Sequence, residues 1–300
     1  MEYFSPGWCN LSWSDWVPFY LKPEKPPQIL EERNKKILEM PGVYRVRAVD
    51  QDNLMYIGQT GRALKKRFSE LRRHTLVHDE CPWNDPHTAA QSLWVWNKEK
   101  QYTYEFSAAS IDPNQTNLKG MESYLLYRYR QEVGESTLCN FGRFHPRYNR
   151  SPNQKKGFGI RGGRRKDTEP DNPASGKSWP PLPPEGKPGD RNWMGLMWSE
   201  PENLILDNIQ KVPNDSGLYF LIDSPSSQII YIGESDDCQK RLRQHRRKAW
   251  GDRRVQFSYH CIPQLVLPHN FHELENDLIG NYFENYRKSP EFQFGKGWRE

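Results

Sequence analysis

PGVYRVRAVDQDNLMYIGQTGRALKKRFSELRRH, residues 41 to 74, holds two short runs of alternating apolar and polar residues, a turn between them and a basic stretch after them. Gly42-Val43-Tyr44 opens the first run, Asp50 to Asn53 supplies the turn, and Leu54 to Ile57 is the return. A period of two predicts paired β-strands. Gly58 ends the second strand, and a basic helix is expected from about Arg62. The same unit recurs from Gly42 to Gly217. Gly217-Leu218-Tyr219 begins a strand, Asp223 to Gln228 turns, Tyr231-Ile232-Gly233 closes the hairpin, and ESDDCQKRLRQH (234–245) is again a basic helix.

Working outward, Ala89 to Lys98 reads as a helix, Tyr102 to Ala108 as a third strand and Asn117 to Glu132 as a last helix. In the second copy, Arg253 to Cys261 is the third strand and His269 to Tyr286 the last helix. Upstream, Trp8, Trp13, Trp16 and Phe19 cluster before a helical pattern over Pro26 to Glu39. Trp198-Ser199-Glu200 precedes Pro201 to Lys211 in the same way, so the repeat includes this lead-in. The tryptophans read as plugs at the domain edge, with base stacking as the alternative. The expected fold class is α+β: two domains, 1–141 and 193–300, each a small three-stranded antiparallel sheet flanked by helices. A segment over 142–192 joins them.

That segment is rich in proline and glycine and lacks apolar periodicity, which predicts a linker. Arg143 to Lys166 contains nine Lys and Arg and no acidic residue. Lys155, Lys156, Arg161, Arg164 and Arg165 are therefore candidates for phosphate contacts, which give affinity without sequence preference. Ser178 to Pro188 reads as a stiff Pro-rich spacer. Over the whole chain, 300 residues suit two modest domains, and 11 Trp, 15 Tyr and 13 Phe allow small aromatic cores. The net charge of +5 leans towards a polyanionic partner. Five scattered cysteines show neither zinc-site spacing nor a disulfide framework, which predicts a reducing, cytoplasmic setting. No apolar run is long enough for a bilayer and the N-terminus does not read as a signal peptide, so no membrane partner is expected. His78, Asp79, Glu80, Cys81 and His87 lie close in sequence, but no ligand spacing repeats.

Gly-x-Tyr on one strand, Tyr-Ile-Gly on the next and an Arg-bearing helix after them resemble the GIY-YIG nuclease family, twice in one chain. The resemblance covers roughly 41–140 and 215–293 and implies two GIY-YIG-type α/β sandwiches. The family pattern continues with a helix Arg and often a His, then a Glu, then an Asn. In the second copy these positions are Arg241, His245 and Glu275, with Gln293 where the family has Asn. In the first they are Arg67, Leu71 in the His position, Glu122 and Asn140; His74 and His87 are candidate replacements. Met121-Glu122 resembles Leu274-Glu275, and both Asn140 and Gln293 follow their Glu by 18 residues, which favours Glu275 over Glu273.

The resemblance implies a metal-dependent endonuclease acting on double-stranded DNA. Glu122 and Glu275 would hold Mg²⁺ or Mn²⁺, and Arg67 and Arg241 would neutralise the phosphate, for which a guanidinium fork is suited. Tyr44 and Tyr56, and Tyr219 and Tyr231, would line the attacking water, with one tyrosine of each pair as a base. A phenol of ordinary pKa near 10 would have to be lowered by the cation and the Arg. His245 would relay the proton. Arg62, Lys65, Lys66, Arg72 and Arg73 on the first basic helix are candidate DNA contacts. Three arrangements follow: both copies cut, one on each strand; one cuts beside a degenerate DNA-binding copy; or neither cuts and the chain only binds nucleic acid. Persistence of Tyr, Tyr, Arg and Glu in both copies favours the first, in a restriction or defence role. For a single active copy the retained Asn140 and the two spare histidines point to the first.

Overall fold

In the computed structural model the described residues are 1–19, 32–76, 80–82, 88–114, 117–151, 162–264 and 267–295. They form a mixed α+β protein with antiparallel sheets. In chain order the elements are β1 (Val17–Pro18), α1 (Glu32–Glu39), β2 (Gly42–Ala48), β3 (Leu54–Thr60), α2 (Leu64–Leu76), α3 (Thr88–Lys100), β4 (Tyr104–Ser110) and α4 (Leu118–Val133). There follow β5 (Tyr148–Asn149), β6 (Gly163–Arg164), β7 (Glu202–Asn203), α5 (Leu206–Ile209), β8 (Gly217–Asp223), β9 (Gln228–Ser235), α6 (Cys238–Arg246), β10 (Val255–Cys261) and α7 (Pro268–Tyr286). Among the described residues no helix is long and apolar enough to cross a membrane.

The chain divides into two compact units, 1–118 with 136–177 and 119–135 with 178–300. Each contains one four-stranded sheet of the same order, β1-β4-β2-β3 and β7-β10-β8-β9. The expected three strands are present in both. The fourth, missed from sequence, is a two-residue strand of the lead-in, too short to carry a periodicity. It pairs Val17 with Phe106 in one sheet and Glu202 with Phe257 in the other.

The lead-in is duplicated in atomic detail. Trp13 Nε1 donates to the Trp8 carbonyl at 3.0 Å, and Trp198 Nε1 to that of Trp193 at 2.9 Å. The hydroxyls of Ser14 and Ser199 accept from the backbone of Ala108 and Tyr259. Trp8, Trp13, Trp193 and Trp198 are all buried. They are plugs on the sheet, and base stacking by these four is overturned. Under the first plug lies Arg45, buried, with its guanidinium 4.1 Å from the Trp13 ring. Phe220 takes that place in the second, 4.7 Å from Trp198. Tyr44, Val46, Phe106, Leu64, Leu71 and Leu93 form the core on the other face of the first sheet. Tyr219, Leu221, Ile230, Leu242 and Trp250 do so in the second.

The expected domain bounds are corrected in two places. Helix α4 groups with the second unit although its sequence follows the first. The 142–192 segment is divided at 177/178 rather than forming one linker. Residues 163–164 pair with 148–149, and Leu182 in the proline-rich stretch is buried. The reason is a charged cluster that no local pattern reveals. Arg130 on α4 bonds Asp277 on α7 through Nε and Nη2 at 2.8 and 3.0 Å, and its Nη1 lies 3.7 Å from Glu273; all three side chains are fully buried. The backbone of Trp179 and Leu182 and the Ser178 hydroxyl donate to these carboxylates. Buried charges persist only when paired and hydrogen-bonded. Removing Arg130 strands Asp277 and Glu273, so Arg130→Ala is expected to destabilise the protein by about 3–5 kcal/mol. Urea unfolding measures this, and a loss below about 1 kcal/mol would contradict the account.

Candidate active site

In both units the first-strand tyrosine lies across the second-strand glycine. Tyr44 pairs in register with Gly58 and Tyr219 with Gly233. A Cβ on Gly58 or Gly233 would overlap the phenol ring of its partner. The tyrosine pairs are close, with ring centroids 5.9 Å apart for Tyr44 and Tyr56 and 6.2 Å for Tyr219 and Tyr231.

The Asn and Gln expected as one site position do the same structural job. Asn140 accepts from the Ile57 N–H at 3.0 Å and donates to its carbonyl at 2.8 Å. Gln293 does this to Ile232 at 2.9 and 3.0 Å. The residues before them, Cys139 and Phe292, each donate a backbone bond to the same strands, at Met55 and Ile230. The carboxamides clamp the middle residue of Tyr-Ile-Gly, and Gln293 is an equivalent rather than a departure.

The second unit brings its set together. His245 Nε2 and Tyr219 Oη share a hydrogen bond of 2.8 Å, and Arg241 Nε donates to the same oxygen at 3.3 Å. The Arg241 guanidinium also acts on Tyr231, opposing the rise of its pKa. The geometry follows from α6: Asp237 caps it by accepting from the Lys240 N–H, and Arg241 and His245 share one face at i, i+4. His245 is fully buried beside Tyr231 and Trp250. Burial, then Lys248 and Arg241, bring its pKa down to about 3, so the imidazole is neutral. Burial raises the pKa of both Tyr219 and Tyr231, and the Arg241 guanidinium opposes that rise.

Glu275 belongs to this site and Glu273 does not. Glu273 is fully engaged by Ser178, Trp179 and Asn270. Glu275 has its pKa pushed up to about 8 by burial and by Glu234, against the pull of Arg241. One ligand atom from each of Glu234, His272 and Glu275 lies within 4.8 Å of the others. Glu234, Arg241 and His272 line a cleft of about 570 Å³ with Ser235, Asp236, Lys240 and Gln244. Sequence reasoning missed Glu234 and His272. The signals were a Glu directly after Tyr-Ile-Gly and a His three residues before Glu275.

In the first unit, Leu71 is buried in the core where the second has His245. His74 is one turn further, its Nε2 3.1 Å from Arg73. Arg67 is buried and contacts Glu70 at 3.4 Å. Glu122 lies on α4, in the other unit. Of the candidate DNA contacts, Arg62 is paired with Glu70 and Lys65 with Glu39, Arg72 covers Phe68, and Lys66 and Arg73 are exposed. Arg164 pairs with Asp167, and Arg165 bonds Asn149 and the Pro170 carbonyl. The acidic residues just past the basic tract supply partners that the count over 143–166 left out. Lys155, Lys156, Arg161, His78, Asp79 and His87 lie outside the described residues. Cys81 packs in a small core with Trp94 and Phe144, and all five cysteines are free thiols.

Comparison with known proteins yields no match: no family model, no curated protein and no solved structure matches this chain.

The neutral His245 gives a pH signature. An unfolded chain takes up a proton near pH 6.5, whereas the folded site does not until about 3. This stability is present above pH 6.5 and is lost as pH falls towards 3, by up to about 1.4 kcal/mol per pH unit. His245→Gln is expected to show a shallower acid slope than wild type in urea melts between pH 7 and 4.5; parallel slopes would count against the assignment.

Proposed function

We propose that the protein is a metal-dependent DNA endonuclease of GIY-YIG type whose second unit carries the chemistry, the first serving as a DNA-holding copy. The observation that carries this reading is the connected set of Arg241, Tyr219 and His245 beside the cleft lined by Glu234 and His272, whose ligand atoms lie within 4.8 Å of that of Glu275. Phosphodiester hydrolysis needs an activated water and neutralisation of the phosphate oxygens. Arg241 supplies a fixed positive charge in the cleft, with Lys240 beside it. Tyr219 and His245 share a hydrogen bond between Oη and Nε2 that fixes the orientation of both rings. Neither phenol ionises by itself near neutral pH, so the tyrosines orient water rather than act as free bases. The carboxylates and imidazole fit a divalent cation, which when bound would supply Lewis acidity. Arrangements in which both copies cut remain testable, but Leu71 in the histidine position and Arg67 turned to Glu70 favour the second copy. A restriction or defence role rests on the resemblance alone.

Cleavage of supercoiled plasmid, unmodified and hydroxymethylated, with Mg²⁺ or Mn²⁺ tests this. Wild type is expected to give nicked circles, and Glu275→Ala and Arg241→Ala to lose about 10²–10³-fold or more in rate. Linear product that Glu122→Ala turns into nicked circles would restore two cutting sites. DNA binding without cleavage by any form would favour a binding protein.

A further inference from the structure

We infer that Glu234 and His272 join Glu275 as protein ligands of one divalent transition-metal ion, and that among the described residues this three-ligand site is built only into the second unit. The inference deepens the nuclease reading, in which Glu275 alone was the expected ligand. Two elements converge to make it. Glu234 is the penultimate residue of β9, on the strand that carries Tyr231 and Gly233. His272 and Glu275 stand on α7 at i, i+3, a spacing that puts both side chains on one face. His272 Nδ1 is 3.5 Å from Glu234 Oε1, and all three ligand atoms fall within 4.8 Å of each other. With metal–oxygen distances of about 2.0–2.6 Å, one coordination sphere spans such a spread.

The surroundings favour a cation over a chance pairing of surface groups. Glu234 and His272 line the cleft, and a carboxylate oxygen of Glu275 lies within 4.8 Å of the ligand atoms of both. No hydrogen bond from a described residue reaches Glu275. Lys240 and Arg241 line the same cleft, and their charges suit an anion such as a phosphate. The duplicate supplies an internal contrast. Gln59 follows Gly58 as Glu234 follows Gly233, in the same register against the neighbouring strand. Lys119 precedes Glu122 by three residues, as His272 precedes Glu275. An amide and an ammonium stand where the second unit has a carboxylate and an imidazole, and an ammonium cannot ligate.

Imidazole sets the class of metal. Mg²⁺ prefers oxygen ligands and keeps much of its water, whereas nitrogen ligands raise affinity for first-row transition ions. The full chain, stripped of metal, should be titrated with Mn²⁺ by electron paramagnetic resonance and then with Mg²⁺ as competitor. Wild type is expected to bind one Mn²⁺. His272→Ala and Glu234→Gln should each weaken Mn²⁺ by about tenfold or more, the loss seen even for groups one shell further out. The Mg²⁺ affinity obtained from the competition should change little in His272→Ala, so Mg²⁺ should displace Mn²⁺ from that variant at lower concentration than from wild type. Circular dichroism at matched concentrations checks that both variants fold; a misfolded His272→Ala is replaced by His272→Gln, read in the same way. If both folded variants bind Mn²⁺ as wild type does, His272 and Glu234 are only an ion pair and the inference falls. Mn²⁺ binding that depends on all three ligands in a protein that cuts no DNA would sink the nuclease reading and leave this one standing. Cleavage with unaltered Mn²⁺ binding in the variants would do the reverse.

Discussion

The architecture of each unit turns on a missing Cβ. Tyr219 lies flat on Gly233, and Tyr44 on Gly58, because nothing projects from the glycine to lift the ring. In the second unit that posture carries Oη beyond the strand to α6, where Arg241 and His245 meet it. A second glycine constrains the same strand: a Cβ on Gly217 would overlap the His260 carbonyl of β10. The carboxamide of Gln293 then fixes Ile232 from the other side. Strand, ring and helix are therefore positioned by backbone contacts, and the polar groups at the cleft inherit that precision.

From this common frame the two units diverge in their side chains. Where the second has His245 bonded to a tyrosine, the first has Leu71 in the apolar core. A histidine there is sustained by a partner oxygen and by an indole, Trp250, whose Nε1 caps the His245 carbonyl at 2.9 Å. Burial without a counter-charge keeps the imidazole neutral, and the adjacent cations Lys248 and Arg241 act in the same direction. The cleft therefore sets the cations Arg241 and Lys240 in one lining with the carboxyl group of Glu234.

Much of this was legible in sequence because it is local. The hairpins, their glycines and the basic helices announce themselves through period-two and period-3.6 patterns, and the equal Glu-to-amide spacing selected Glu275. What stayed hidden is long-range or below the length of a pattern. β1 and β7 have two residues each. Glu234 looks like a solvated charge until α7 delivers His272 opposite it. The tract over 143–166 looked like a free basic surface because its acidic partners, such as Asp167, begin one residue later. The equivalence of Asn140 and Gln293 depends on what the amide touches, which spacing alone does not tell.

The assignment of α4 shows how chemistry and stability are drawn from different stretches. A fragment starting at Trp193 would keep Tyr219, Tyr231, Arg241, His245 and Glu275. It would lose Arg130 together with Ser178, Trp179 and Leu182, which between them satisfy Asp277 and much of Glu273. Two fully buried carboxylates would then lack their cation and their donors, a state each carboxyl could relieve only by taking up a proton or by opening the fold. These groups lie on α7 beside Glu275, so the helix that presents His272 and Glu275 is the one whose opposite face α4 neutralises. The residues from 119 to 135 and from 178 to 192 are thus part of the second unit's folding, although nothing in their local pattern attaches them to it.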